Sequence, residues 1–293
     1  MSLNSLLKFA NITDVKRAIK DPKKAFRVAY RQALGRKSTT IDNSESLDKE
    51  RIKALSHLFD VHPDIVEKHL SELRHSDLQN RLEECMRVME DYPFSLGGMH
   101  VGGETVYVVA ALLKPRAICE IGVANGVSTL YLLGAADYGN FDPDIRAIDK
   151  PQFESMIREQ RGKRGLHGTG GIIPDSREAG WVAPKRQRTE YGYQYYVGDF
   201  TEILPDVMEE IEHLDLVLYD ASKDRVEMEM AYEESISTLE PGGVLISDDI
   251  TVNNAFQTVT SQYDGTSFIF GGTGLFRKGN PIGNESKTSP TKY

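Results

Sequence analysis

Ile118-Cys119-Glu120-Ile121-Gly122-Val123-Ala124-Asn125-Gly126-Val127-Ser128-Thr129 runs from an apolar strand, through two glycines four residues apart, into a helical pattern. Glycine at 122 and 126 lets the backbone turn sharply and approach a ligand where a Cβ would obstruct it. The helix that follows presents free N–H groups, and the positive end of its dipole, to a carboxylate or phosphate. Glu120 is placed to accept from an ammonium group. Asp149 closes the next apolar run, where an acidic side chain accepts from both hydroxyls of a ribose. Together these residues fit a zwitterionic, ribose-bearing ligand, although many strand-to-helix turns need glycine for steric reasons alone.

Short apolar runs alternate with helical ones on both sides of this segment, the signature of βαβ units and a parallel sheet. Strands are expected at 117–122, 145–149, 194–197, 214–219 and 244–247. Two more, at 267–270 and 274–277, flank Gly271-Gly272-Thr273 as a hairpin. The expected fold is α/β, a doubly wound and mostly parallel sheet of seven strands. Residues 93–278 form the main domain and 279–293 a frayed tail. Between 151 and 193 lies an insertion too long and too glycine-rich for one helix or an ordinary loop, and such insertions usually serve as lids or binding loops.

Residues 1–92 read as a helical N-terminal extension. Asp21-Pro22 combines an N-cap with a first-turn proline, and Phe26, Ala29, Tyr30, Ala33 and Leu34 recur at helical spacing up to Gly35. The polar run 37–46 reads as a linker, and further helices are expected over 47–58 and from Pro63 towards Met89. The four histidines of this region, His57, His62, His69 and His75, suggest no metal site by their spacing.

Composition narrows the function classes. The 293 residues are 40% hydrophobic and 27% charged, ordinary for a soluble globular protein. The longest apolar run, 106–113, is far too short to span a membrane. The N-terminus lacks the basic-then-apolar order of a secretory signal, so a cytoplasmic protein is expected. Cys85 and Cys119 are the only cysteines, which rules out a cysteine-rich metal site and makes a disulfide unexpected. The net charge of −9 divides unevenly: residues 1–37 carry ten Lys/Arg against two Asp, leaving about −17 on the remainder. Such an acidic body is not a nucleic-acid binder. The basic helix at 22–34 suits either peripheral contact with an anionic membrane or docking on the protein's own acidic body or on a second subunit in a homodimer.

The spacing E-x-G-x-x-x-G-x-S resembles motif I of class I S-adenosylmethionine (SAM)-dependent methyltransferases and departs from the G-x-G-x-x-G of nicotinamide enzymes. The resemblance extends over roughly 95–278. Gly98-Met99-His100-Val101-Gly102-Gly103-Glu104 is similar to the segment that closes over the methionine end of SAM in O-methyltransferases, which makes His100 a candidate for acid–base work. Gly198-Asp199-Phe200 stands where such families place a residue near the adenine, and Leu239-Glu240-Pro241-Gly242-Gly243 matches their L-x-P-G-G turn. Gly180-Trp181-Val182-Ala183-Pro184 resembles an element of methyltransferases found with surface-glycan and natural-product genes. The resemblance implies a SAM site formed by Glu120, Gly122, Asn125, Gly126, Ser128, Asp149, Asp199 and Asp220.

Strand four ends in Tyr219-Asp220-Ala221-Ser222-Lys223-Asp224-Arg225 and strand five in Ser247-Asp248-Asp249-Ile250, both at the ligand-binding edge of an open α/β sheet. Carboxylates gathered there would repel one another unless a hard divalent cation such as Mg²⁺ joined them. The pattern is similar to that of cation-dependent catechol-type O-methyltransferases, by which Asp220, Asp248 and Asp249 would be metal ligands and Lys223 the base. Asp249 replaces the family's Asn, and Val226 its aromatic residue. The plainer alternative is that the two aspartates cap a turn and Lys223-Asp224-Arg225 opens a solvated helix.

These readings point to methyl transfer to a hydroxyl oxygen of a small molecule or a sugar or glycan acceptor. Eight Lys/Arg against four Asp/Glu between 156 and 190 leave room for an anionic acceptor. A nicotinamide-dependent oxidoreductase and a non-catalytic SAM-binding protein are the alternatives.

Overall fold

A computed structural model describes residues 41–97, 102–162, 166 and 170–279, with side chains from residue 46 onward. His100 and the expected helix at 22–34 lie outside these residues. Compact units divide at Glu50–Arg51, and from Arg51 onward the architecture below belongs to the second.

The first helix, α1 (Ile41–Phe59), begins within the run expected to be a linker. A polar segment is not thereby a loop, because polarity reports exposure and does not decide backbone conformation. Then come α2 (Pro63–Arg74), which buries Val66, Leu70 and Leu73, and α3 (Asp77–Met89), which buries Leu78, Leu82, Cys85 and Met89. Thereafter strands and helices alternate: α4 (Gly103–Leu113), β1 (Ala117–Ile121), α5 (Val127–Gly139), β2 (Asp144–Asp149), α6 (Glu154–Arg161), α7 (Lys185–Glu190), β3 (Gln194–Val197), α8 (Phe200–Glu210), β4 (Leu214–Tyr219), α9 (Arg225–Thr238), β5 (Leu239–Ser247), α10 (Ala255–Thr260), β6 (Gly265–Phe270) and β7 (Thr273–Lys278).

The seven strands form one sheet in the order β3-β2-β1-β4-β5-β7-β6. Strands β1 to β5 are parallel, and β7 runs antiparallel to both β5 and β6. Chain order reverses between β1 and β4, which places a ligand crevice at their carboxyl ends. Gly271 and Gly272, with φ of +54° and +88°, make the β6–β7 connection; a two-residue hairpin of this kind needs positive φ at both positions.

Alternation along β1 sends Cys119 and Ile121 into an apolar core with Leu204, Val207 and Met208 of α8, Tyr232 and Ile236 of α9 and Phe256 of α10. Glu120 points to the opposite face, towards Ser128 and Thr129 of α5. On that side α4 and α5 pack together, α2 lies against α4 and α3 against α5. Arg51, only 2% exposed, donates to Thr105 Oγ1 at 3.1 Å and is ion-paired with Glu104. Arg74 holds the same carboxylate at 2.9 and 3.0 Å. Burial opposes ionisation of Glu104, but the two guanidinium groups outweigh it and keep the carboxyl below its usual range. Among the described residues no helix is long and apolar enough to cross a membrane.

Candidate cofactor and active site

The β1 turn is shaped by the chain's own close packing. A Cβ on Gly122 (φ +93°) would sit 2.2 Å from the carbonyl oxygen of Asp220, and one on Gly126 (φ +86°) would sit 2.7 Å from Cα of Gly180. Both glycines are therefore required by neighbouring backbone before any ligand is considered. Between them Ala124 holds φ +49°, a left-handed conformation unfavourable for a residue with a Cβ. Gly126 caps α5 with no side-chain bond, and the first helical bond runs from Leu130 N to Gly126 O at 3.0 Å. The N–H groups of the first turn thus have no acceptor within the helix, the arrangement that suits a bound carboxylate.

Glu120 does not face outward to an ammonium group. It is fully buried and accepts from Ser128 Oγ at 2.5 Å and Thr129 Oγ1 at 2.7 Å, tying the first turn of α5 to β1. Burial pushes its carboxyl up to about 7 against the pull of the two hydroxyls. Asp149 ends β2 beside the turn, where its Oδ2 accepts from Ala124 N at 3.2 Å and Tyr195 Oη at 3.1 Å. Burial raises this carboxyl too, while the tyrosine and backbone bonds oppose the rise. Asp199 caps α8 through Thr201 N and Oγ1 and pairs with Lys150 Nζ at 3.0 Å, contacts that hold its carboxyl low.

Asn125 is fully buried and its side chain is taken up by protein. Its Nδ2 donates to Leu96 O at 2.6 Å and Ile172 O at 3.1 Å, and its Oδ1 accepts from Trp181 Nε1 at 2.6 Å. The backbone adds Gly180 N to Ala124 O and Val182 N to Asn125 O, both at 2.9 Å. The segment 172–182 of the expected insertion is therefore laced to the β1 turn. Neither Trp181 nor Tyr195 was a site candidate in the sequence. Trp181 lay inside a recognised element, whereas Tyr195 was one of several tyrosines in a short strand.

Asp220, Lys223, Asp248 and Asp249 gather at the ends of β4 and β5. Lys223 Nζ lies 2.8 Å from Asp220 Oδ1 and 3.4 Å from Asp249 Oδ2. Burial alone would lower the lysine, but Asp220, Asp249 and Asp248 together hold it above its usual value. It is therefore an ammonium ion, where a base would have to be neutral. Asp248 is pushed up to about 6, by burial first and then by the charge of Asp220. Asp249 has φ +55°, a second strained residue at this edge. Among the described residues no three acidic, histidine or cysteine side chains are disposed to hold a metal ion, and here the ammonium group itself sits between the carboxylates. As arranged, this donor set does not fit a divalent cation. Asp224 caps α9 through Val226 N and Glu227 N, and Arg225 pairs with Glu229, as the plainer reading of that segment expects.

Residues 119–250, from β1 to the end of β5, match the family model of a methyltransferase domain. That stretch of the chain is similar to a methyltransferase domain. Its fold is similar to that of the O-methyltransferase TomG from Streptomyces achromogenes, solved in complex with SAM, at 18% identity over 68% of this chain and 90% of that one, with a TM-score of 0.44. The O-methyltransferase from Bacillus cereus in complex with S-adenosylhomocysteine (SAH) matches at 15% identity over 68% and 91%, also with a TM-score of 0.44. A methyltransferase from Geobacter sulfurreducens matches at 13% identity over 70% and 89%, with a TM-score of 0.42. No curated protein matches the chain. Within residues 119–250 the β1 turn, Asp149 and the Asp220–Lys223 pair lie along one edge of the sheet, at the ends of adjacent strands.

Proposed function

We propose that the protein is a SAM-dependent methyltransferase acting on a hydroxyl oxygen of a small-molecule or glycan acceptor. The observation that carries this reading is the adjacency of two unlike sites. An uncapped helix N-terminus with Asp149 beside it, suited to the amino-acid and ribose parts of SAM, adjoins through Gly122 and Asp220 a charged cluster containing Lys223. When bound, SAM supplies an electrophilic methyl group.

The protein's task is then to align the acceptor oxygen with that group and to favour loss of its proton. The Lys223 ammonium stabilises negative charge developing on the oxygen, and the Asp248 carboxylate, whose raised value lies near neutrality, takes the proton. Asp220 holds Lys223 in place.

The test is calorimetry with SAH, SAM and NAD, followed by turnover assays across hydroxylated acceptors. SAH binding without NAD binding is expected; NAD binding alone would favour the oxidoreductase, and SAH binding with no loss of turnover in Lys223→Met would refute the catalytic assignment. Assays with and without EDTA address the cation separately. Activity abolished by EDTA and restored by Mg²⁺ would require Lys223 to yield its place among Asp220, Asp248 and Asp249.

A further inference from the structure

We propose that Asn125 and Trp181 are positioning residues that hold the β1 turn in the conformation that receives the amino-acid end of SAM. The proposal rests on the cofactor reading above and adds the means by which the turn is kept competent.

The turn needs holding. Ala124 at φ +49° lies in a region disfavoured for a residue with a Cβ, and such strain persists only where surrounding contacts impose it. Here they are visible. Ala124 N is held by Asp149, and Ala124 O and Asn125 O by the amides of Gly180 and Val182. Gly180 occupies the space a Cβ on Gly126 would need. The Asn125 side chain then joins three separate lengths of chain: the approach to the segment before α4 through Leu96, the first half of the insertion through Ile172, and the second half through Trp181.

All three of these side-chain bonds are buried, so none can be replaced by water at low cost. The stretch around Trp181 thus acts as a strap over the turn. Arg81 anchors the strap from the other side by donating to Trp181 O and Val182 O, both at 3.2 Å.

Ligand affinity reports on the turn, because apparent affinity falls with the fraction of molecules in the competent conformation. SAH uses the turn for its amino-acid end, whereas adenosine lacks that end and serves as the internal control. Trp181→Phe keeps an aromatic ring in the strap but removes the N–H, leaving Asn125 Oδ1 buried without a donor. Asn125→Ala removes all three bonds.

The experiment is calorimetric titration of the full-length wild type and both variants with SAH and with adenosine, together with amide exchange at Gly180 and Val182. Trp181→Phe is expected to weaken SAH about tenfold, to leave adenosine unchanged and to speed exchange at both amides; Asn125→Ala should do more of each. Equal loss for both ligands would mean general damage, and unchanged SAH affinity would mean that the strap does not position the turn. Either result overturns the proposal. A wild type that binds neither ligand would instead refute the cofactor reading itself.

Discussion

Glu120→Gln should change how stability depends on pH while leaving the core volume almost untouched. The native carboxyl is raised from 4.5 to about 7 by complete burial. At 1.36 kcal/mol per unit, the ionised form costs the folded state about 3 kcal/mol relative to the unfolded chain. Between these two values the native protein binds more protons than the unfolded one, so stability falls as pH rises. The favourable contribution is complete below 4.5 and is lost as pH passes through about 7. Glutamine cannot ionise; its amide oxygen accepts one of the hydroxyls of Ser128 and Thr129, and the other hydroxyl rotates to accept from the NH₂. Asp149 and Asp248 also have raised values, and they cancel in the comparison because both proteins keep them. Urea unfolding of the ligand-free proteins at intervals from pH 5 to pH 8 measures the difference directly. Relative to wild type, the variant should gain about 2 to 3 kcal/mol across that range. A difference constant to within about 0.5 kcal/mol would show that the carboxyl titrates normally, and would refute the argument from burial.

Gly122→Ala should prevent folding or destabilise by more than about 3 kcal/mol, because a left-handed φ and a 2.2 Å approach to the Asp220 carbonyl coincide there; Gly192→Asn, at φ +60° with open space, should cost under about 1 kcal/mol, and thermal melts compare the two. Arg51→Ala strips a buried partner from Glu104 and should cost about 3 to 5 kcal/mol by chemical denaturation; a loss below about 1 kcal/mol would mean that Arg74 alone suffices. Lys223→Met should lower turnover by about a hundredfold or more with SAH affinity retained, a separation that single-turnover assays resolve. Deleting residues 1–40 should abolish binding to anionic vesicles at low salt if the basic segment reaches a membrane, with each Lys/Arg near the surface contributing about 1 kcal/mol; vesicle binding by neither protein, with a truncated form that dissociates, would identify the segment as a subunit contact.

What the sequence revealed and what it concealed divide along one physical line. The sheet was readable because a buried parallel strand must be an apolar run of a few residues and its crossover helix must show a 3.6-residue period. Both properties belong to each segment alone, so 117–121, 214–219 and the terminal hairpin fell where their own patterns put them. The N-terminal end of α1 was missed because polarity reports exposure, and a polar run can be helix as readily as loop. Side-chain roles depend on partners distant in the chain, and no local pattern carries those. Glu120 reads as a ligand for an ammonium group until α5 brings Ser128 and Thr129 over it. Asn125 reads as a cofactor contact until Leu96, Ile172 and Trp181 converge on it. Lys223 reads as a base until three carboxylates surround it and keep it charged. In each case the side chain's chemistry was reassigned by neighbours that folding brings onto it, from three residues away for Asp220 and Lys223 to 56 for Asn125 and Trp181. The same dependence explains why motif glycines are ambiguous evidence for a ligand. Gly122 and Gly126 are fixed by contact with Asp220 and Gly180, so their spacing records the packing of this fold. A bound cofactor would therefore be received by the unpaired N–H groups of the first turn of α5, beside the strained Ala124, which this packing creates.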